Sequence, residues 1–144
     1  MITLREIDRD NFSDVIGLGV SEDQKHFVAS NMYSLAQAKA QPECVPLAIY
    51  AGDIPVGFVM YCMDYKDQAY WIYRLMVDQK HQGRGYGRAA MERVIEIMAK
   101  DPEHSMTYVS FEPDNAVAQK LYESLGFVPD GRVMYGEIVY CLRW

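Results

Sequence analysis

Cysteine is scarce: Cys44, Cys62 and Cys141 are the only three in 144 residues, odd in number, widely spaced and without a C-x-x-C pair. Such a set builds no disulfide framework, and the thiols read as reduced core residues of a cytoplasmic protein. Histidine is as thin. His26, His81 and His104 are scattered, so metal-ligand spacing is missing and no metal site is expected. No apolar run approaches the ~20 residues that a membrane-crossing helix needs. The opening residues Met1-Ile2-Thr3-Leu4-Arg5-Glu6 bring charge before any apolar stretch, which is not the pattern of a signal peptide. Positive charge is also in the minority, 14 basic residues against 20 acidic for a formal charge of −6. That balance excludes nucleic acid and anionic membranes as the expected partners and suits a cationic ligand.

What is present is an ordinary core-forming composition, half hydrophobic and about a quarter charged. A chain of this length fits one domain, residues 1–144, with a core that needs neither disulfide nor metal. Residues 2–7 read as a short strand. Asp10 or Asn11 is placed to cap a helix carrying Phe12, Val15, Ile16 and Leu18. Glu22 to Ser30 is a second helical candidate, and Ser34 is placed to cap a third through Ala36, Ala38 and Ala40. Strands follow at Val45–Ala51 and Val56–Met63, joined by Gly52-Asp53-Ile54-Pro55, and then at Ala69–Asp78.

From Tyr86 the period changes, and Ala90, Met91, Val94, Ile97 and Met98 fall on one helical face. Met106–Phe111 is the next strand. Pro113-Asp114-Asn115 opens a helix with Ala118, Leu121, Tyr122 and Leu125 at 3–4 residue spacing, ended by Gly126. Two more strands lie around Phe127–Pro129 and Gly136–Arg143. The order β-α-α-β-β-β-α-β-α-β-β, with hairpins first and helical crossovers later, predicts an α/β fold with a mixed sheet covered by helices on both faces.

Between the fourth strand and its helix stands Gln82-Gly83-Arg84-Gly85-Tyr86-Gly87. Successive glycines let backbone N–H groups converge on an anion, with a helix N-terminus behind them and Arg84 and Arg88 adding charge. A P-loop would end in Gly-Lys-Ser/Thr, whereas Gly87 is followed by Arg88-Ala89. A dinucleotide fingerprint belongs in a βαβ unit, and the G-x-G-x-G spacing here is different. A glycine-rich helix entry that binds nothing is the remaining reading of this segment alone.

The later helix reads Asn115-Ala116-Val117-Ala118-Gln119-Lys120-Leu121-Tyr122-Glu123-Ser124-Leu125-Gly126-Phe127. By itself Asn115 is a cap and Tyr122 a core residue. Taken together, the two segments resemble the signatures of the GNAT acetyltransferase superfamily, Q/R-x-x-G-x-G/A after the fourth strand and N-x-x-A-x-x-L-Y-x-x-x-G-F in the helix after the fifth. Both patterns match in full, in the same order, and the element order agrees along the whole chain.

The resemblance implies a mostly antiparallel mixed sheet whose fourth and fifth strands splay apart, and a reaction that moves an acetyl group from acetyl-CoA to a primary amine. It implies that Leu75, Met76 and Val77 contact acetyl-CoA through the free side of strand four, where an amide polarises the thioester oxygen. Gln82, Gly83, Arg84, Gly85, Tyr86, Gly87 and Arg88 would hold the pyrophosphate, while Asn115 and Ala118 line the other side of the cofactor. Tyr122 would stand near the sulfur as catalytic general acid. Many relatives carry a glutamate two residues before the leucine of strand four. Tyr73 stands there instead, which leaves the base open between Glu112 and a water chain ending in solvent, Glu112 reading otherwise as an ordinary solvated loop carboxylate.

The segment Val20-Ser21-Glu22-Asp23-Gln24-Lys25-His26-Phe27-Val28-Ala29-Ser30-Asn31 is similar to that of bacterial spermine/spermidine (diamine) acetyltransferases. A polyamine such as spermidine or spermine is therefore the expected substrate, met by Glu22, Asp23 and Tyr73, with Asp64, Asp67 and Trp71 as further candidates. Arg74 opposes it with a like charge. The alternatives are another small amine, a protein amine, or a non-catalytic module that binds acyl-CoA. Such a module would not need the intact Tyr122. Oligomeric state is not legible; the resemblance makes a homodimer the assembly to look for.

Overall fold

Along Met106–Phe111, every second residue (Thr107, Val109, Phe111) is buried and the intervening ones are only partly covered, the period of two that makes a strand. The computed structural model describes all 144 residues, and seven such strands form one sheet. They are β1 (Ile2–Glu6), β2 (Cys44–Ala51), β3 (Ile54–Asp64), β4 (Ala69–Val77), β5 (Met106–Phe111), β6 (Val128–Met134) and β7 (Glu137–Arg143), in the order β1-β2-β3-β4-β5-β7-β6. All neighbours are antiparallel except β4 and β5. The central strands β2, β3 and β4 are nearly continuous apolar runs because helices cover both their faces.

Helix α3 (Tyr86–Ala99) buries Ala90, Met91, Val94 and Met98, a stripe at helical spacing, and α4 (Ala116–Ser124) buries Tyr122. Both pack on one face, joining a core with Ile49, Val59, Ile72, Val109 and Phe127. Ile97 falls at the solvent margin of that stripe, 36% exposed, rather than on it. On the opposite face, α1 (Phe12–Gly17) and α2 (Asn31–Ala40) cover Ala48, Phe58, Met60 and Met76. Asn31 locks these two helices together by donating to the Val15 carbonyl at 2.8 Å. No helix is long and apolar enough to cross a membrane.

Three local expectations change. Glu22–Ser30 is not a helix: only Glu22–Gln24 makes a single 3₁₀ turn, closed by a capping box between Ser21 and Gln24. The segment has no apolar stripe to bury, so nothing extends the turn. Ser30 rather than Ser34 caps α2, its Oγ accepting from the Tyr33 amide at 3.1 Å. Ser34 lies buried inside the helix and donates back to the Ser30 carbonyl at 3.0 Å. The strand expected at Phe127–Pro129 continues to Met134 through an irregular stretch between Pro129 and Val133, where Gly131 takes φ +95°.

One feature of the sheet positions everything that follows. Strands β4 and β5 pair only at Tyr70–Thr107, Trp71–Tyr108 and Ile72–Val109. Beyond Ile72, β4 keeps its bonds to β3 on one side while its other edge is free as far as Val77. Gly57 holds β3 tightly against this segment, since a Cβ there would stand 2.4 Å from the Met76 carbonyl oxygen. The two strands splay.

Candidate active site

The wedge between the splayed strands opens into a cleft of about 1160 Å³, lined by β4, the glycine loop, β5, α4, the chain from Val20 to Ala29 and the turn between β6 and β7. Along one wall run Leu75, Met76 and Val77, whose free backbone edge faces the cleft. The Met76 side chain turns the other way, into the core beneath α1 and α2. A β-bulge in the pairing with β3 between Arg74 and Ile72 changes the alternation of β4 at Tyr73. Both Tyr73 and Arg74 consequently reach the cleft.

The glycine loop sits at the end of β4, fixed by Gln82, whose Nε2 donates to the Val77 carbonyl at 2.9 Å. Gly83 and Gly85 have φ of +78° and +80°, and no atom lies within 4 Å of where a Cβ would be. The backbone of the loop therefore faces open space, in the left-handed conformation glycine adopts without strain, and leads into α3. Gly87 differs: its φ is not positive, and an added Cβ would make ordinary contacts with Val77 and Leu121. Gln82, Gly83, Gly85, Tyr86, Gly87 and Arg88 all line the cleft; Arg84 does not. Arg88 is held by Glu92 at 3.1 Å and by the Ser124 hydroxyl.

The facing wall is α4. Asn115 caps it, Oδ1 accepting from the Ala118 amide at 3.1 Å, and both residues line the cleft. Gly126, at φ +98°, ends the helix as its sequence predicts, and the Phe127 amide closes the turn on the Tyr122 carbonyl. Tyr122 is 6% exposed, its ring stacked on Phe111 at 5.8 Å and edge-on to Phe127 at 5.4 Å. It nevertheless lines the cleft, and burial alone pushes its phenol above the usual tyrosine value. The group stays protonated at any ordinary pH. A protonated donor lining the cleft can deliver a proton to a departing anion.

The cleft is also lined by Phe27, Gln37, Asp64, Trp71, Tyr73, Arg74, Tyr135 and Glu137, of which Gln37 belongs to α2 and Tyr73 packs against the core beneath α1 and α2. Burial, followed by the neighbouring Cys62 thiol, pushes the Tyr73 phenol up. Arg74 donates to Gln37 Oε1 at 2.8 Å and to the Tyr73 carbonyl at 2.9 Å, and burial draws its pKa down. Its Nε is buried without a partner.

Glu22 and Asp23 are not brought to the cleft. Glu22 pairs with Lys25 at 2.7 Å and Asp23 accepts from the Ser21 hydroxyl at 2.6 Å, both at the exposed 3₁₀ turn. Asp67 accepts from the Trp71 indole at 2.8 Å and pairs with Arg132. It and Glu112 also lie outside the lining. Glu137, Ser110, Phe27 and Tyr135 were not expected there. Tyr135-Gly136, with φ of +52° and +79°, is a two-residue hairpin turn, and its X-Gly signal marks Glu137 as the first residue of a strand. Asp101, Glu103 and His104 offer ligand atoms within 4.8 Å of one another, but Asp101 is already bonded to Tyr70 and His104. The cluster lies away from the cleft.

The Acetyltransferase (GNAT) family model matches residues 2–127. Spermine/spermidine N(1)-acetyltransferase of Bacillus subtilis (strain 168) is 29% identical over 139 residues, covering 92% of this chain and 91% of its own. Aminoglycoside acetyltransferase AAC(6')-Ib in complex with coenzyme A has the same fold, with a TM-score of 0.82 at 16% identity over 99% of this chain and 95% of that one. So does spermidine N-acetyltransferase from Vibrio cholerae in complex with CoA and spermine, with a TM-score of 0.76 at 18% identity over 97% and 92%.

Proposed function

Because the chain belongs to the GNAT acetyltransferase family, and is an acetyl-CoA-dependent N-acetyltransferase, we propose that its acceptor is a small oligoamine of the spermidine or spermine kind. The observation that carries this reading is the make-up of the cleft lining, which combines the carboxylates of Asp64 and Glu137 with the rings of Phe27, Trp71, Tyr73 and Tyr135. Carboxylates compensate ammonium groups, and aromatic faces attract them and cover the intervening methylenes. Arg74 is the opposing charge, and its bonds to Gln37 and the Tyr73 carbonyl draw its guanidinium toward the protein. The likeness to the Bacillus subtilis spermine/spermidine enzyme along nearly all of both chains supports the same reading. Glu22 and Asp23 drop out of it, being engaged at the surface.

In the same reading, the free edge of Leu75–Val77 pairs with the pantetheine arm, and the Gln82–Arg88 loop takes the pyrophosphate on its backbone N–H groups. The left-handed, uncrowded Gly83 and Gly85 fit that task. Asn115 and Ala118 line the far side, and Tyr122 passes a proton to the CoA sulfur. Three free, buried thiols support a reducing compartment such as the cytoplasm.

The test is a steady-state assay of CoA release with spermidine and with a monoamine of similar length. One additional ammonium–carboxylate contact of ~1.4 kcal/mol corresponds to about a tenfold lower KM for spermidine. Equal KM values would move the assignment to another small amine.

A further inference from the structure

Glu137 opens β7 directly after the Tyr135-Gly136 turn, and β5 determines where its carboxylate sits. Phe111 pairs with Ile138 and Ser110 with Val139, so Ser110 and Glu137 are diagonal neighbours across two adjacent strands. The Ser110 hydroxyl donates to Glu137 Oε1 at 2.7 Å. Ser110 is also the first residue of β5 beyond Ile72–Val109, the last rung shared with β4. A hydroxyl at the mouth of the splay therefore holds a carboxylate there, with Oε2 left for a ligand.

We propose that Glu137 is the group that takes the proton from the acceptor ammonium, aimed by Ser110. The inference rests on the acetyltransferase reading of the cleft but not on which amine enters it. The faces of the sheet carry the argument. Val109, Phe111 and Tyr140 belong to the core beneath α3 and α4, together with Tyr122. Because strand side chains alternate, Ser110 and Glu137 project to the other face, where α1 and α2 lie. Acid and base thus flank the splay from opposite sides, Tyr122 on the cofactor side and Glu137 on the acceptor side. Glu112, just past the end of β5, does not line the cleft.

The atoms balance in this arrangement. The acceptor ammonium gives one proton to Glu137, which releases it to solvent, and the freed lone pair forms the C–N bond to the acetyl carbonyl carbon. The C–S bond breaks, its electron pair goes to sulfur, and Tyr122 supplies the sulfur's proton. The second proton that nitrogen loses as the amide forms replaces the one Tyr122 gave. The other charged and titratable groups lining the cleft are Arg74 and Tyr73 from β4, Asp64 from β3, Tyr135 from the turn, Tyr122 from α4, Lys25 and His26 from the N-terminal segment, His26 standing 3.9 Å from Asp114, and His81, Tyr86 and Arg88 at the glycine loop. The Glu137 carboxylate is among the neighbours that favour the charged form of Arg74.

The experiment compares Glu137→Gln with wild type, using the amine on which wild type is most active in a panel of oligoamines, monoamines and amino-terminal peptides. The expected result is a kcat lower by about 100-fold, with acetyl-CoA affinity by calorimetry unchanged. In wild type, kcat should level off as pH rises. In E137Q it should keep climbing toward the amine's own ionisation near pH ~10, because only pre-deprotonated amine then reacts. A kcat within threefold of wild type, or an equal loss at every pH, overturns the proposal. So does a rising limb that moves in His26→Gln instead. Should E137Q fail to fold, Ser110→Ala keeps the carboxylate but frees it to swing: kcat should fall about tenfold, and an unchanged kcat overturns the proposal. Failure of the oligoamine reading would appear separately, in the wild-type panel before any variant is made.

Discussion

The side-chain amides of Gln24 and Gln82 bond each other reciprocally, Gln24 donating at 3.2 Å and Gln82 at 3.0 Å. The pair bridges the Glu22–Gln24 turn to the loop proposed to hold the pyrophosphate. Gln82 thereby acts as a strut, fixed to Val77 on one side and Gln24 on the other.

If the strut sets the loop, Gln24→Ala should weaken acetyl-CoA binding although Gln24 is not part of the glycine loop. A net hydrogen-bond contribution of about 1 kcal/mol corresponds to roughly fivefold in Kd. In a double-mutant cycle read by calorimetry, Gln24→Ala should lose about that factor, Gln82→Ala at least as much because it also gives up the Val77 bond, and the double variant no more than Gln82→Ala alone. Fully additive losses would show that the two amides act separately.

Tyr122→Phe keeps the ring between Phe111 and Phe127 and removes only the hydroxyl, so the fold and the acetyl-CoA Kd should be retained. As the general acid, the hydroxyl should be worth about 100-fold in kcat, the low end for such a group, because a thiolate leaves readily. The raised Tyr122 pKa also has a sign. The acid form persists as pH rises, so the wild-type rate should show no alkaline loss from this group below pH ~10. An unchanged kcat in the variant would return Tyr122 to a packing role.

Asp78 ties the chain entering the 3₁₀ turn to the end of β4: it accepts from the Gly19 amide at 2.9 Å, the Lys80 amide at 3.2 Å and His81 Nδ1 at 3.3 Å. Burial by itself raises its pKa, but these bonds and the His81 charge outweigh it and hold the carboxyl below its ordinary value. A depressed pKa means stability that is present above about pH 4 and lost as pH falls through the folded-state value. Asp78→Asn should therefore cost about 1–3 kcal/mol at pH 7 by urea denaturation, and the gap to wild type should narrow at pH 3. A gap that stays constant would assign the loss to packing alone.

The parts legible in the sequence were those governed by local periodicity or local turn chemistry. The α3 stripe, the strand Met106–Phe111 and the Gly126 terminator lie where their spacing predicts, because each is decided within a few residues. The Glu22–Ser30 segment misled because charged residues permit a helix without requiring one, and Ser21 with Gln24 satisfies a single turn. The acidic residues chosen there were misplaced for the same reason, since local partners hold them at the surface. Glu137 was illegible because its meeting with Ser110 depends on register between β5 and β7, strands separated by a helix and another strand. Such a pairing exists only once the sheet is assembled.

Mechanically, the sheet is two plates, β1 to β4 and β5 with β6 and β7, riveted by three rungs at one end. Past the last rivet the two plates share no backbone bond, and side chains alone, packed in one core, join them. The α3 stripe is packed into the core of this sheet like a keel. A molecule threaded along the bare edge of Tyr73–Val77 would supply the missing rungs, so that binding completes the architecture as well as filling a space.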